Sequence, residues 1–367
     1  MRLRVNATSK IINPVNFENG SGFREMSQVV TFGEIMLRLN PPDFQRFVQA
    51  DSFEVSYGGA EASVAVSLAN YGISSSFVTC LPSNEIGQAA VNYLRRFGVD
   101  TSHIIRTGER IGVYYLETGA DQRASKVIYD RAHSAISEVK PGTIRWDQIL
   151  TETKWFHFTG ITPALSQNTA DVCLEAVRST REKGLKVSCD LNYRGKLWKY
   201  GKTAMDVMTG LMPYVDVVIG NEEDCEKVFG IKGADVTVAE QVSPEKYREV
   251  AEKLMARFPN LKKVSITLRG SISATHNTWS AVLYDGERLY TTNRYDITNI
   301  VDRVGSGDAF TGALIYGLLV GKNDQEALDF ATAASALKHS MPFDLNLVSK
   351  EEVESLVREG GAGRVQR

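Results

Sequence analysis

Val301-Asp302-Arg303-Val304-Gly305-Ser306-Gly307-Asp308-Ala309-Phe310 sets an acid directly after a Gly-Ser-Gly turn, at the mouth of an apolar segment that runs on through Thr311 to Leu319. Two glycines let successive backbone N–H groups point into one concavity, and a following helix adds its free N-terminal donors and positive dipole end. The stretch therefore predicts a loop-to-helix junction that can hold an anion. Asp308 falls in the first helical turn, where the same dipole favours a carboxylate, so taken alone it also reads as an ordinary helix-start acid. Small residues along the segment, Gly312, Ala313 and Gly317, predict a buried helix packed closely on a sheet.

Outward from this stretch, short apolar runs alternate with helical patterns. Strands are expected at Val29 to Phe32, Phe77 to Thr79, Val187 to Cys189, Val217 to Ile219 and Val264 to Thr267. Between them, helices are expected at Ala60 to Tyr71, Gln88 to Phe97, Thr169 to Lys183, Glu245 to Phe258 and Gln325 to His339. That alternation predicts an α/β fold with a central, mostly parallel sheet flanked by helices, with ligands outside the carboxyl ends of the strands. Two segments break the rhythm. Leu37 to Val55 carries Pro41 and Pro42 among alternating apolar residues, and Gly112 to Arg131 reads as a hairpin around Gly119-Ala120-Asp121. They form either a small separate sheet or further strands of the central one.

The chain of 367 residues is 43% hydrophobic, enough for one large core. Its 42 basic and 44 acidic side chains leave a formal charge of −2, with no basic excess for nucleic acid, so a small-molecule partner is expected. No apolar run approaches the roughly 20 residues that cross a bilayer. Cys80, Cys173, Cys189 and Cys225 are far apart and lack metal-ligand spacing, as expected of reduced core thiols in a cytoplasmic protein. Residues 1–27 contain no apolar core segment of a signal peptide and read as a tail before a domain spanning 28–357.

Several strand ends carry polar groups. Tyr57-Gly58-Gly59-Ala60-Glu61 puts two glycines at the start of a helix, where a ligand can approach backbone or where the chain simply turns. Tyr129-Asp130-Arg131 and Asp190-Leu191-Asn192-Tyr193-Arg194 each set an arginine near an aromatic, and a guanidinium fork suits carboxylate or phosphate oxygens as well as a surface ion pair. Asn221-Glu222-Glu223-Asp224 has the form of a helix N-cap with acids in the first turn.

The Gly-Ser-Gly-Asp turn resembles the Gly-Ala-Gly-Asp signature of ribokinase-like (pfkB) carbohydrate kinases, with Ser306 for the usual alanine and Arg303 for a frequent threonine. The Gly58-Gly59 pair resembles the family's first signature, and the resemblance runs from about Val29 to about Val357. It implies a ribokinase-like fold with a β lid formed from about 37–57 and 112–132. Asp308 would be the catalytic base, and the amides of Gly305, Ser306 and Gly307 would form the anion hole. ATP and Mg2+ are the implied cofactors. The Asn221 to Asp224 stretch is similar to an Asn-x-x-Glu motif that organises magnesium through water. Asn221, Thr267, Arg269 and Gly270 would then serve the nucleotide, and Glu223 and Asp224 the metal.

Within that family, Val113-Tyr114-Tyr115, Ile128 to Ala135 and Asp190 to Arg194 resemble the substrate segments of 2-keto-3-deoxygluconate kinases. This implies a sugar-acid site lined by Gly59, Tyr115, Tyr129, Arg131, Arg194 and Asp344, and transfer of the ATP γ-phosphoryl to the 6-hydroxyl of the sugar acid. A kinase for a neutral ketose or a nucleoside, and a non-catalytic sugar-binding protein, are the alternatives. The gluco or galacto epimer is left open. A homo-oligomer paired through the lid sheet is expected, because an exposed sheet edge invites pairing.

Overall fold

The protein is described by a computed structural model over residues 28–221, 223–232 and 244–360; the tail expected over 1–27 lies outside the described residues. The central sheet runs Leu289–Thr291, Asn277–Tyr284, Lys263–Ser271, Val217–Asn221, Lys186–Asp190, Trp155–Thr159, Val29–Phe32, Ser75–Val78, with Tyr295–Ile297 also on Asn277–Tyr284. From Ser75–Val78 to Lys263–Ser271 the neighbours are parallel, and beyond that they are antiparallel.

Burial explains this arrangement. Val29–Phe32 and Trp155–Thr159 are buried at every residue, as strands covered on both faces must be. Successive side chains go to opposite layers. Val30 and Phe32 join Phe156, Val187 and Val218 under helices Gln167–Glu182, Ala204–Leu211 and Pro244–Arg257. Val29 joins Trp155, Val217 and Ile219 under Ala60–Asn70, Ser306–Leu319 and Asp324–Lys338.

The glycines of helix Ser306–Leu319 serve a different contact from the expected one. A Cβ on Gly312 would lie 2.7 Å from that of Ser67, and one on Gly317 2.8 Å from that of Ala327. They let this helix press against its two neighbouring helices. Helix Glu85–Arg95 begins earlier than expected because Asn84 caps it, accepting from the Gly87 amide at 3.0 Å.

A second, four-stranded sheet is ordered Glu54–Gly58, Met36–Asn40, Gly112–Glu117, Lys126–Asp130. Met36–Asn40 pairs parallel to Gly112–Glu117, and the outer strands pair antiparallel. The Gly112–Glu117 and Lys126–Asp130 strands form a hairpin, whose turn accepts a hydrogen bond at the Asp121 carbonyl from the Ala274 amide, at 2.7 Å. One edge strand, Lys126–Asp130, is exposed at every residue.

Candidate active site

Asp308 stands in the first turn of helix Ser306–Leu319, half-buried at the carboxyl end of the central sheet. Gly305 precedes it at φ 82°, in the left-handed region, and a Cβ there would lie 1.9 Å from the Asp344 carbonyl oxygen. Both conditions demand glycine. A Cβ on Gly307 would meet nothing within 4 Å, so that side of the turn is open. No side chain caps the helix, which leaves first-turn amides for a ligand. The three expected donors are not equivalent: the Ser306 amide leans on the Arg303 carbonyl at 3.4 Å, while its own carbonyl accepts from Ser335 Oγ at 2.7 Å.

Burial pushes the Asp308 carboxyl up to about 7; Asp344 and Glu61 push the same way, and Arg194 and Lys338 oppose them. Other acids crowd this end of the sheet. Glu61 Oε1 accepts from the Thr159 amide and from the hydroxyls of Thr159 and Thr162, and burial raises its pKa. Asp190 is likewise raised well above the usual range, first by burial and then by Asp224 and Asp308. Arg194 is the exposed cation among them. Its loop turns at Asn192, φ 36°, whose amide donates to Asp190 Oδ1 at 3.1 Å.

Asp344 lies within the protein. Its Oδ1 accepts from Arg38 Nη1 at 2.6 Å and from the Tyr114 hydroxyl at 2.6 Å, while Arg38 Nη2 holds Asp302 at 2.5 Å. Gly58 faces this carboxylate, since a Cβ there would sit 2.3 Å from Asp344 Oδ2. A Cβ on Gly59 would instead strike the Glu34 carbonyl at 2.0 Å. Gly59 therefore serves chain packing, and Gly58 is the glycine beside the acid.

Strand register corrects the expected tyrosine. Tyr114 is paired with Tyr129 and with Arg38, whereas Tyr115 is paired with Ile128. Paired residues share a face and neighbours in sequence take opposite faces. Tyr115 thus points away from Asp344, with Phe53 edge-on at 6.0 Å, and Tyr114 stands on the face with Tyr129. Arg131, two residues beyond Tyr129, is not a free fork either. Its Nε donates to Glu34 Oε2 at 2.8 Å, Nη2 donates to the same oxygen, and the Ser134 hydroxyl donates to Oε1 at 2.7 Å. Tyr129 and Arg131 line a cavity of about 810 Å³ together with Leu165, Lys196, Lys199 and Tyr200. Asp308 is not part of its wall.

On the other side of the Gly305 turn, the Thr267 hydroxyl donates to the Gly220 carbonyl at 3.4 Å, and Arg269 is exposed. Gly270 lets Thr278 approach, because a Cβ would lie 2.4 Å from its Oγ1. Arg303 spans to the Ser273 and Ala274 carbonyls at 2.9 and 2.8 Å. The Asn221 side chain accepts from the amides of Glu223 and Asp224 from the end of its strand; the N-cap of helix Asp224–Phe229 is Glu223 and not the expected Asn221. Asp224 is buried, with its oxygens on the amides of Asn221 and Tyr193 at 2.9 and 3.0 Å, which ties two strand ends together. Glu223 is exposed beside it. Among the described residues no three acidic, histidine or cysteine side chains form a metal cage. A cation held largely by bound phosphates and reached through water fits that donor set.

Sequence reading passed over Glu34, Arg38, Tyr114 and Lys338 as site components. Glu34 and Arg38 stand within six residues of the first strand, but only the fold sets them beside Arg131 and Asp344. His157, buried in the central sheet, has its pKa lowered to about 3 by burial and is a neutral core residue.

Residues 26–341 match the model of the pfkB family carbohydrate kinases. A 2-dehydro-3-deoxygalactonokinase of Haloferax volcanii is 33% identical over 92% of this chain and 98% of its own length. The crystal structure of 2-dehydro-3-deoxygluconokinase from Thermotoga maritima is 52% identical, superposes with a TM-score of 0.85, and covers 90% of this chain and 99% of its own. A pfkB family carbohydrate kinase from Listeria grayi is 33% identical with a TM-score of 0.83, covering 91% of this chain and 100% of its own. With Asp308 set at the open Gly305 turn and similarity extending along nearly the whole chain, the protein belongs to the pfkB family of carbohydrate kinases.

Proposed function

We propose that the protein is a 2-keto-3-deoxygluconate kinase (2-dehydro-3-deoxygluconokinase), transferring the γ-phosphoryl of ATP to the 6-hydroxyl of the sugar acid. The observation that carries the reaction is the half-buried Asp308 carboxyl beside an uncapped helix start, with Arg194 exposed among the same acids. Identity of 52% to a kinase of that name carries the substrate.

In this reading Asp308 accepts the proton of the 6-hydroxyl as its oxygen bonds to the γ-phosphorus, and the bond from that phosphorus to the ADP oxygen breaks. Amides of the Gly305–Gly307 turn stabilise charge on the moving phosphoryl, Gly307 on the open side and Ser306 after releasing Arg303. Magnesium supplies charge neutralisation of the nucleotide phosphates. Glu223 would reach its waters, and Asp224 would hold the strand ends that place Glu223 and Asn221. Thr267, Arg269 and Gly270 would border the phosphates.

Arg194 and Tyr129 would meet the sugar acid, with Tyr114 in the place first given to Tyr115. Arg131 would present its outer edge, oriented by Glu34. Gly59 and Asp344 would shape the wall from behind. The small sheet would act as the lid, and its exposed apolar residues Phe53, Val55 and Ile128 would pair it with a second copy. A cytoplasmic setting accords with four buried, unpaired cysteines.

The pairing of Arg131 with Glu34 leaves less free positive charge than two unpaired arginines and favours a second reading, a kinase for a neutral ketose. A coupled kinase assay decides between them, run over 2-keto-3-deoxygluconate, its C4 epimer, fructose and ribose. Preference for a sugar acid is the expected result; preference for fructose or ribose would replace the substrate while leaving the kinase.

A further inference from the structure

Lys338 ends helix Asp324–Lys338 and is wholly buried, although nothing in the proposed reaction uses it. Its ammonium donates to the Met341 carbonyl at 3.3 Å. Burial lowers its pKa, and the fields of Asp302, Asp344 and Asp308 oppose that and favour the charged form, while Arg38 acts with burial. A lysine is seldom taken fully out of water unless its charge is needed there.

The segment that Lys338 grips is the one pressing on the anion turn. Three residues past Met341, the Asp344 carbonyl occupies the space a Gly305 side chain would need. Phe343 between them is held at φ 64°, a strained conformation for a non-glycine residue, with the Arg38 guanidinium 5.5 Å from its ring centre. The same helix end also fixes the approach to the turn, since the His339 carbonyl accepts from the Val301 amide at 2.8 Å. Arg38, Lys338 and, for Asp308, Arg194 supply positive charge against Asp302, Asp344 and Asp308. Arg38 is committed to the first two acids by direct contact.

We propose that Lys338 is a positioning residue for phosphoryl transfer: its buried ammonium holds the 341–344 segment beneath the Gly305 turn and supplies the internal positive charge that the Asp308 carboxylate requires. This rests on the assignment of Asp308 as the base. Loss of that charge favours the protonated, inactive acid. Asp344 and Glu61 then act on Asp308 with Arg194 left to oppose them.

The test is the pH dependence of kcat/KM in Lys338→Gln, which can keep the bond to Met341 but not the charge, beside Lys338→Met and Lys338→Arg. The acid limb should move up by about one pH unit in Gln and Met and stay in place in Arg. At pH 7 the neutral variants should then be several-fold slower, recovering at pH 9, with the KM for ATP little changed. A limb at the wild-type pH in Lys338→Gln, with only a lower Tm, would reduce Lys338 to a structural role. Should Lys338→Met fail to fold, the Gln variant decides alone. The same shift can be read without turnover from the 13C carboxyl resonance of Asp308, so a wrong substrate assignment would not be mistaken for failure of the lysine.

Discussion

Arg38 and Asp344, 306 residues apart in sequence, meet at 2.6 Å behind the Gly305 turn. One belongs to the small sheet, and the other to the segment whose carbonyl closes on Gly305. Their contact joins the proposed lid to the Gly305 turn through buried charge. Asp302 and the Tyr114 hydroxyl complete the cluster. Arg38→Met leaves two buried carboxylates without their cation and should cost about 3–5 kcal/mol in denaturant unfolding. Arg38→Lys should recover little of this, since an ammonium cannot reproduce the fork. A loss under 1 kcal/mol for Arg38→Met would show that the cluster is hydrated and soft.

Asp308→Asn should lower turnover by about 100-fold or more while leaving the fold intact. It should also stabilise the protein at neutral pH. The folded carboxyl titrates near 7 against an ordinary value of 3.8. Its contribution to stability is therefore full below about pH 4 and is lost as pH rises to about 7. Wild-type and variant Tm should coincide near pH 4 and separate by pH 8, with the variant higher by a few degrees.

The same raised pKa sets the pH–rate profile. The base must be ionised, so kcat/KM for the sugar should fall below about pH 7 as Asp308 takes up a proton. A profile flat from pH 8 to pH 5 would remove Asp308 as the base.

The two arginines should separate in their stability effects. Arg194 is exposed and Arg131 is buried on Glu34. Either Arg→Ala should raise the KM for the sugar acid about 10-fold, the scale of one charge-assisted bond. Only Arg131→Ala should also lower Tm, because Glu34 is left buried without its cation. Glu34→Gln should raise the sugar KM through Arg131 and spare ATP. Equal losses for acid and neutral sugars in Arg194→Ala would end the carboxylate assignment.

Excess chelator should abolish phosphoryl transfer, and the two acids near Asn221 should respond differently. Glu223→Gln should raise the magnesium concentration needed for half-maximal rate without changing Tm, since the side chain is exposed. Asp224→Asn should chiefly lower Tm, because it loses an acceptor for the Asn221 or Tyr193 amide.

The sequence alone determined the features that depend on neighbours along the chain. Fully apolar strands alternating with helices required a parallel, two-sided sheet, and the strand at Val29–Phe32 was found at the expected residues. The Gly-Ser-Gly-Asp turn announced a loop-to-helix junction because its conformational demands are local, and Gly305 at φ 82° satisfies them. The run Trp155–Thr159 was not picked out, its apolar signal interrupted by His157, which burial in the sheet keeps neutral.

Tertiary structure decided which side chains meet. Tyr114 and Tyr115 are adjacent and chemically identical, and only the register against Tyr129 says which faces Asp344. Arg131 read as a fork for a ligand anion or for a surface ion pair, and the fold set the buried Glu34 beside it. Lys338 carried no sequence signal beyond its place in a helical pattern, and the fold put it in the field of Asp302, Asp344 and Asp308. Period and composition report the face a residue takes. The charges that meet it come from other segments, Glu34 lying 97 residues from Arg131 and Asp344 306 residues from Arg38, and only the folded chain brings them into contact.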